Sequence, residues 1–141
     1  MTQLLFVSTI PYDGQILFFD AGDDGSNPFV FVGSESVASR SHGLAVKTRA
    51  DLVTTANDLV PVKVEVWLGE APTDFGGVIV WTGPITCGER GFTVGSVIGS
   101  DTHPIDAGPG VHSITVLVQP EVEPNHVVFV LDPKPFIHVP T

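Results

Sequence analysis

The stretch Val-Pro-Val-Lys-Val-Glu-Val-Trp-Leu, residues 60–68, decides the fold class of this chain. Every second residue in it is aliphatic, namely Val60, Val62, Val64, Val66 and Leu68. Successive side chains of a β-strand point to opposite faces, so these five share one face while Lys63, Glu65 and Trp67 lie on the other. The pattern predicts a strand with one face in a hydrophobic core and the other mostly in solvent.

Similar short apolar runs continue on both sides of this strand, separated by turns in which most of the 15 glycines and 12 prolines lie. Helix has one candidate position, residues 49–59, where threonine and valine are poor helix formers. About eight to ten short strands predict an all-β fold, an antiparallel β-sandwich with a jelly roll as the alternative. The other expected strands are residues 4–8, 15–20, 28–32, 44–49, 78–81, 92–97, 111–118, 127–131 and 136–139.

The composition predicts one folded domain over residues 1–141, because 43% of the residues are apolar and only 16% are charged. Cys87 is the single cysteine, which excludes an intramolecular disulfide and a zinc–cysteine site and favours a reducing compartment, the cytoplasm. The first residues lack the basic segment of a secretory signal, and no apolar stretch approaches membrane-spanning length. We therefore expect no contact with a membrane.

The charge balance favours a basic protein as partner. Sixteen acids against six bases give a net charge of -10. Arg40, Lys47 and Arg49 lie within ten residues of one another, so most of the acidic field is left without a neutralising base. Such a surface repels the phosphate backbone of nucleic acids and attracts cationic proteins, so we expect no direct binding to nucleic acid.

One loop carries candidate calcium ligands. It follows the apolar strand at residues 15–20 and concentrates carboxylate and amide oxygens at four positions: Asp20, Asp23, Asp24 and Asn27. The spacing differs from an EF-hand, because Gly22 occupies the third position and Phe31 the twelfth. The alternative interpretation is a hairpin loop in which these residues supply turn conformations and the acids stay solvated.

Signatures of catalysis are missing from the sequence. The five histidines show no His-x-His or His-x-x-x-His spacing, and the best pair is His112 with His126, which border two strands expected to be neighbours. No Gly-x-Ser-x-Gly nucleophile elbow occurs. Arg90 follows Cys87 closely, but a small buried residue is the simpler interpretation of this cysteine. We expect no catalysis and no cofactor.

Trp67 is the candidate for a contact with a partner. The alternation places it on the face opposite the valines, beside Lys63 and Glu65. A tryptophan in this position lies either under a loop or on a contact surface, where aromatic residues are enriched. We take Trp67, Glu65 and Glu70 as candidate partner-binding residues.

The order of features from Val60 onward resembles that of the competence protein J family, small bacterial β-sandwich proteins whose founding role is inhibition of a DNA-entry nuclease. Related sequences commonly place an aromatic residue and a base after the Pro-Gly turn, where this chain has Val111 and His112. The resemblance implies a sandwich fold and a partner-neutralising role. It is carried by VPVKVEVWL at 60–68, EAP at 70–72, FTVGSVIG at 92–99, IDAGPGVHSITVLV at 105–118 and VVFVLDP at 127–133.

Three functions are compatible with these observations. The leading hypothesis is a non-catalytic cytoplasmic protein that inhibits, or confers immunity to, a basic enzyme such as a nuclease. The second is a sandwich module for a small ligand or calcium. The third is a structural or assembly subunit of the kind found in phages and virions.

Overall fold

The computed structural model describes residues 2–9, 15–22, 36–48, 61–95 and 102–132. In these ranges all regular secondary structure is β-strand, and no helix is long and apolar enough to cross a membrane. The strands are β1 Thr2–Thr9, β2 Gln15–Asp20, β3 Val37–Arg40, β4 Gly43–Lys47, β5 Val62–Leu68, β6 Val78–Cys87, β7 Phe92–Gly95, β8 Thr102–Ile105, β9 Gly110–Gln119 and β10 His126–Leu131.

These strands form two five-stranded sheets. Sheet I has the order β1-β5-β10-β9-β6, and sheet II has the order β3-β4-β2-β7-β8. Neighbouring strands are antiparallel except for β5 and β10, which run parallel in the middle of sheet I. Buried residues of both sheets form one hydrophobic core. The predicted all-β sandwich is confirmed.

The two faces of strand β5 differ in how well they match the expectation from the sequence. Val62, Val64 and Val66 are buried in the core, as their alternation predicts. The opposite face was expected to be mostly solvated, and for Glu65 that expectation is wrong, because the residue is only 6% exposed. Strand β5 lies between β1 and β10, and side chains of these neighbours cover the outer face at this point.

Three phenylalanine rings connect the two sheets. Phe18 of β2 packs against Phe92 of β7, with ring centroids 4.7 Å apart, and against Phe129 of β10, at 4.8 Å. Phe18 and Phe92 belong to sheet II and Phe129 belongs to sheet I, so the contact spans the interior of the sandwich. All three are fully buried. Each ring buries a large apolar area, so this cluster is a main source of the stability of the packed sheets.

Most of the expected strands within the described residues are present, with different ends. Strand β6 is longer than expected and reaches Cys87. Strands β3 and β8 were not predicted, because each has only four residues and carries polar residues or a proline. The strands expected at 28–32 and 136–139 and the helical candidate at 49–59 lie outside the described residues.

Strands β9 and β10 pair across the turn at 120–125, as expected from the sequence. Val118 lies opposite Val127 and Ile114 opposite Leu131, so the core-facing residues of the two strands share one face. The sequence alone allowed a shift by one residue, which would exchange the faces. The observed register leaves His126 and Gln119 opposite each other on the outer face of sheet I.

Gly91, in the turn between β6 and β7, is expected to be intolerant of alanine. Its φ of +74° is in the left-handed region, and an added Cβ would lie 2.4 Å from the Ile105 carbonyl oxygen. We expect Gly91→Ala to lower the free energy of unfolding by about 2 kcal/mol or more. Urea denaturation measures this, with Gly108→Ala as the control, because a Cβ there meets no atom within 4 Å. Equal stability of the two variants would contradict the expectation.

Candidate functional site

The outer face of sheet I presents three rows of side chains that cross the sheet from strand to strand. Directly paired residues in neighbouring strands point to the same face. The middle row runs across all five strands and contains Phe6, Glu65, Val128, Leu117 and Ile79. One flanking row contains Gln3, Trp67, Val130, Thr115 and Thr82, and the other contains Ser8, Lys63, His126 and Gln119.

Glu65 lies in the middle row, on the strand next to the edge strand β1, and accepts three hydrogen bonds. Its Oε1 accepts from Gln3 Nε2 and from Trp67 Nε1, both at 3.0 Å. Its Oε2 contacts Nε2 of His126. Because an ionised carboxylate only accepts hydrogen bonds, this contact places a proton on Nε2 of the imidazole. A buried charge is costly unless it is hydrogen-bonded, and these three donors satisfy that requirement.

The loop at residues 69–77, between β5 and β6, lies over the edge of this cluster. The Phe75 ring meets the His126 imidazole edge to face, with centroids 4.7 Å apart and planes at 66°. Together the loop and the sheet enclose a pocket of about 430 Å³, within the range of small-ligand sites. We call it the acid–aromatic pocket; it is lined by Phe6, Glu65, Trp67, Pro72, Asp74, Phe75, Gln119 and His126.

Two of the three candidate partner-binding residues meet in this pocket. Glu65 and Trp67 line it and are joined by a hydrogen bond, and Glu70 is exposed in the loop that begins directly after β5. Trp67 is half-buried, which is intermediate between the covered and the exposed position considered for it. Their role in binding a partner stays a prediction.

Sequence reasoning did not bring His126, Phe75 or Gln3 to this site. His126 lies directly opposite Lys63 because β5 and β10 pair in parallel, although 63 residues separate the two along the chain. Gln3 lies opposite Trp67 beside a bulge of β1. No local motif encodes either pairing. The lone signal in the sequence is the alternation that assigns Glu65 and Trp67 to one face.

Large apolar side chains are exposed on either side of the pocket. Phe6, in β1, is 56% exposed, and Ile79, in β6, is 64% exposed. Leu4 and Val78, beside them in the same two strands, are also exposed. The middle row therefore has exposed apolar groups at both ends, on the two edge strands of sheet I, whereas Glu65 and Val128 between them are buried. Each edge strand thus carries a pair of exposed apolar side chains, which can serve as a contact surface for another molecule.

Comparisons with known proteins give a match in fold. No protein-family model matches the sequence, and no curated protein matches it significantly. The structure is similar to that of ComJ from Bacillus subtilis, an inhibitor of the DNA-degrading activity of NucA. The two share 13% sequence identity, with a TM-score of 0.66 over 93% of this chain and 96% of ComJ. The chain has a ComJ-like fold.

A second solved structure, the protein of crocagin biosynthetic gene J, is similar as well. It has a TM-score of 0.53 at 12% identity and covers 95% of this chain and 99% of its own. Like ComJ, it matches along nearly the whole chain. The structural resemblance suggested by the sequence from Val60 onward is thus confirmed, and it extends to the strands before Val60.

At the end of β9 away from the pocket, His112 has a structural role within the ComJ-like fold. Its Nε2 lies 2.6 Å from the Gly108 carbonyl oxygen, and its ring packs against Phe92 with centroids 5.4 Å apart. His112 is buried on the core side, whereas His126 is on the outer face and opposite Gln119, seven residues further along β9. The two histidines therefore do not form a joint site.

The calcium candidates are only partly within the described residues. The Oδ1 atom of Asp20 accepts hydrogen bonds from the backbone N–H groups of Gly22, at 3.0 Å, and Gly88, at 3.3 Å. Asp20 thus connects the end of β2 to the turn after β6. The other three candidates, Asp23, Asp24 and Asn27, lie outside the described residues. Among the residues that are described, no group of three or more potential metal ligands occurs. Calcium binding by this loop stays a prediction.

Cys87 ends β6 and is 3% exposed. Its thiol donates a hydrogen bond to the Gly108 carbonyl oxygen at 3.4 Å, the same oxygen that His112 contacts. Burial raises the pKa of the Cys87 thiol, and the negative charge of Asp20 raises it further, while a hydrogen bond with the Gly110 backbone opposes them. The neutral thiol is therefore favoured in the folded protein.

We expect Cys87 to react slowly with a disulfide reagent at neutral pH, because the thiolate is the reactive form. Its raised pKa contributes stability that is fully present below about pH 8.5, the pKa of an unfolded thiol, and is lost as pH rises through the higher folded value. Reagent uptake with time, in buffer and in denaturant, measures this. Equal rates in the two solutions would show that the thiol is accessible in the folded chain.

Proposed function

We propose that this protein is a non-catalytic inhibitor that binds a DNA-degrading nuclease through the outer face of sheet I. The observation that carries the proposal is the middle row of that face. It begins with the exposed side chain of Phe6 beside the hydrogen-bonded Glu65 carboxylate and ends with the exposed side chain of Ile79 at the other edge of the sheet. The ComJ-like fold supports the nuclease as partner, because ComJ inhibits the DNA-degrading activity of NucA.

The surface chemistry supports a basic protein as the partner. A nuclease must hold a phosphate backbone, so its substrate cleft is expected to be cationic. The net charge of -10 favours fast association with such a cleft and opposes binding of this chain to DNA itself. Trp67 and Glu65 in the pocket and Glu70 in the adjoining loop are the proposed contact residues.

Inhibition of this kind requires no catalytic step. Occlusion of the nuclease cleft by a stable complex is sufficient, and a few residues near the centre of an interface, often tryptophan, tyrosine or arginine, supply most of the binding free energy. The cytoplasm is the location we propose for this chain, because its single cysteine, Cys87, favours a reducing compartment.

Plasmid degradation by NucA in the presence of increasing amounts of this protein tests the proposal. We expect the rate to fall at least about tenfold when the protein is in molar excess over NucA. A gel-shift assay with the same plasmid serves as the control for sequestration of DNA, and it should show no binding. Full nuclease activity at a large excess of the protein would overturn the proposal.

Substitution on the outer face of sheet I should weaken this inhibition strongly. Phe6→Asp combined with Ile79→Asp places unpaired charges at both ends of the middle row, so we expect at least about a tenfold loss of inhibition without unfolding, because both side chains are exposed. Ser39→Asp, at an exposed position of β3 in sheet II, is the matched control. Retained inhibition in the double variant would assign the contact to another surface.

Light scattering over a range of protein concentrations tests the assembly alternative. A nuclease inhibitor that uses this face is expected to be a monomer, since self-association would cover Phe6 and Ile79. A stable oligomer that the double variant dissociates would instead indicate that the face joins copies of this chain.

A further inference from the structure

The acid–aromatic pocket has the chemistry of a cation site. It combines the carboxylates of Glu65 and Asp74 with three aromatic rings, those of Phe6, Trp67 and Phe75, and no lysine or arginine is among the lining residues that the structure describes. Aromatic faces attract cations, and they do so most strongly in partly desolvated sites. Lys63 lies in the same row as His126, but its side chain is exposed and does not line the pocket.

We propose that this pocket binds the guanidinium group of an arginine side chain on the protein partner. The inference rests on the proposed function, because the arginine is presented by the bound nuclease. It goes further because it names arginine as the residue type that anchors the partner and the acid–aromatic pocket as the site that receives the guanidinium group.

The geometry of the acceptors favours a guanidinium group. A carboxylate has about four acceptor positions. Donors within the described residues occupy three of the positions of Glu65. Oε1 accepts two hydrogen bonds from neighbouring side chains. Oε2 has His126 as its one described donor and therefore has room for another. Asp74 is exposed at the rim, and Gln119 adds an amide oxygen. A guanidinium group has five N–H donors in one plane and can bond several acceptors at once.

The aromatic side chains favour the same occupant. A planar guanidinium group stacks on aromatic faces, whereas the compact ammonium group of lysine is more strongly hydrated and loses more on entering a half-buried pocket. The volume of about 430 Å³ exceeds that of the guanidinium group alone and leaves space for the aliphatic part of the side chain. A long side chain from a partner seated on Phe6 can therefore reach Glu65.

Titration with N-acetyl-arginine amide, followed by the indole N–H resonance of Trp67, tests the pocket directly. We expect binding in the millimolar range, because one side chain supplies only part of an interface. The neutral isostere N-acetyl-citrulline amide should bind at least about tenfold more weakly. The same excess of N-acetyl-arginine amide should displace this protein from NucA and restore DNA degradation, while the citrulline compound should not.

Variants of the lining residues distinguish the contribution of the pocket to binding from that of the rest of the outer face. Asp74→Asn and Phe75→Ala should each weaken both arginine binding and NucA inhibition by about tenfold. Glu89→Gln is the matched control, because it removes one exposed acid in the turn before β7 and should change neither. Thermal unfolding of each variant verifies that it is folded.

The outcomes distinguish this inference from the proposed function. Inhibition of NucA that is unaffected by Asp74→Asn and Phe75→Ala would overturn the arginine site and leave the inhibitor function intact. Binding of the arginine amide without competition against NucA would identify a small-cation site and overturn the docking of a partner arginine. Failure of the unmodified protein to inhibit NucA, with arginine binding retained, would overturn the nuclease as the source of the arginine.

Discussion

Phe18→Ala is expected to lower the free energy of unfolding by about 4 kcal/mol, because truncation of a buried core phenylalanine costs about 3–5 kcal/mol. Phe18 is fully buried and contacts rings from both sheets, Phe92 in sheet II and Phe129 in sheet I. Its removal leaves a cavity between the sheets that neither neighbour can fill without moving its own strand. Since domains are stable by only about 5–15 kcal/mol, such a loss approaches global unfolding.

Equilibrium unfolding in urea, followed by tryptophan fluorescence, measures this change. Phe19→Ala is the matched control, because Phe19 is the next residue in β2, half-buried and on the opposite face. We expect its effect to be about 1 kcal/mol. Comparable losses for the two variants would mean that the three-ring cluster does not have the central place in the core that we assign to it.

Glu65→Ala is expected to lower the free energy of unfolding by about 3 kcal/mol. The variant removes the acceptor of Gln3 Nε2, Trp67 Nε1 and His126 Nε2 at once, and all three of these hydrogen bonds are in part-buried positions. An unsatisfied buried donor costs more than the net gain of the bond it has lost. This effect is unusual for a glutamate on the outer face of a sheet, where truncation is usually near neutral.

Glu65→Gln separates the hydrogen bonds from the charge. Its amide oxygen can still accept from Gln3 and Trp67, and its NH₂ group can donate to His126 once the imidazole carries its proton on Nδ1. We expect a loss of about 1 kcal/mol in urea unfolding, against about 3 for alanine. Glu89→Ala, at an exposed position, is the control and should change stability by less than about 0.5 kcal/mol. Equal stabilities of the alanine and glutamine variants would contradict the argument that unsatisfied donors cause the loss of stability.

The fold class was predictable because its signal is local. The alternation in residues 60–68 requires one buried face whatever the partners of the strand are, and Val62, Val64 and Val66 are indeed in the core. The β9–β10 hairpin was predictable for a related reason, since two apolar runs separated by a short turn pair with each other. The four-residue strands β3 and β8 were missed because they contain too few alternating residues to exceed the signal of a loop.

The pocket was not predictable because its residues come from distant parts of the chain. Gln3, Glu65 and His126 meet only through the order of β1, β5 and β10 in sheet I, and the parallel pairing of β5 with β10 has no counterpart in a turn motif. The sequence also suggested that the outer face would be solvated. Burial of Glu65 follows from the side chains of neighbouring strands and from the loop that carries Phe75, neither of which the strand itself specifies.

By itself the sequence determined an acidic β-sandwich, because strand period, turn residues and net charge are properties of short segments and of composition. It also placed Glu65 and Trp67 on one face of β5. Only the tertiary structure decided that His126, Phe75 and Gln3 join them around one carboxylate. The physical reason is that contacts across a sheet depend on strand order and register, which are fixed by packing of the whole core rather than by any local stretch of residues.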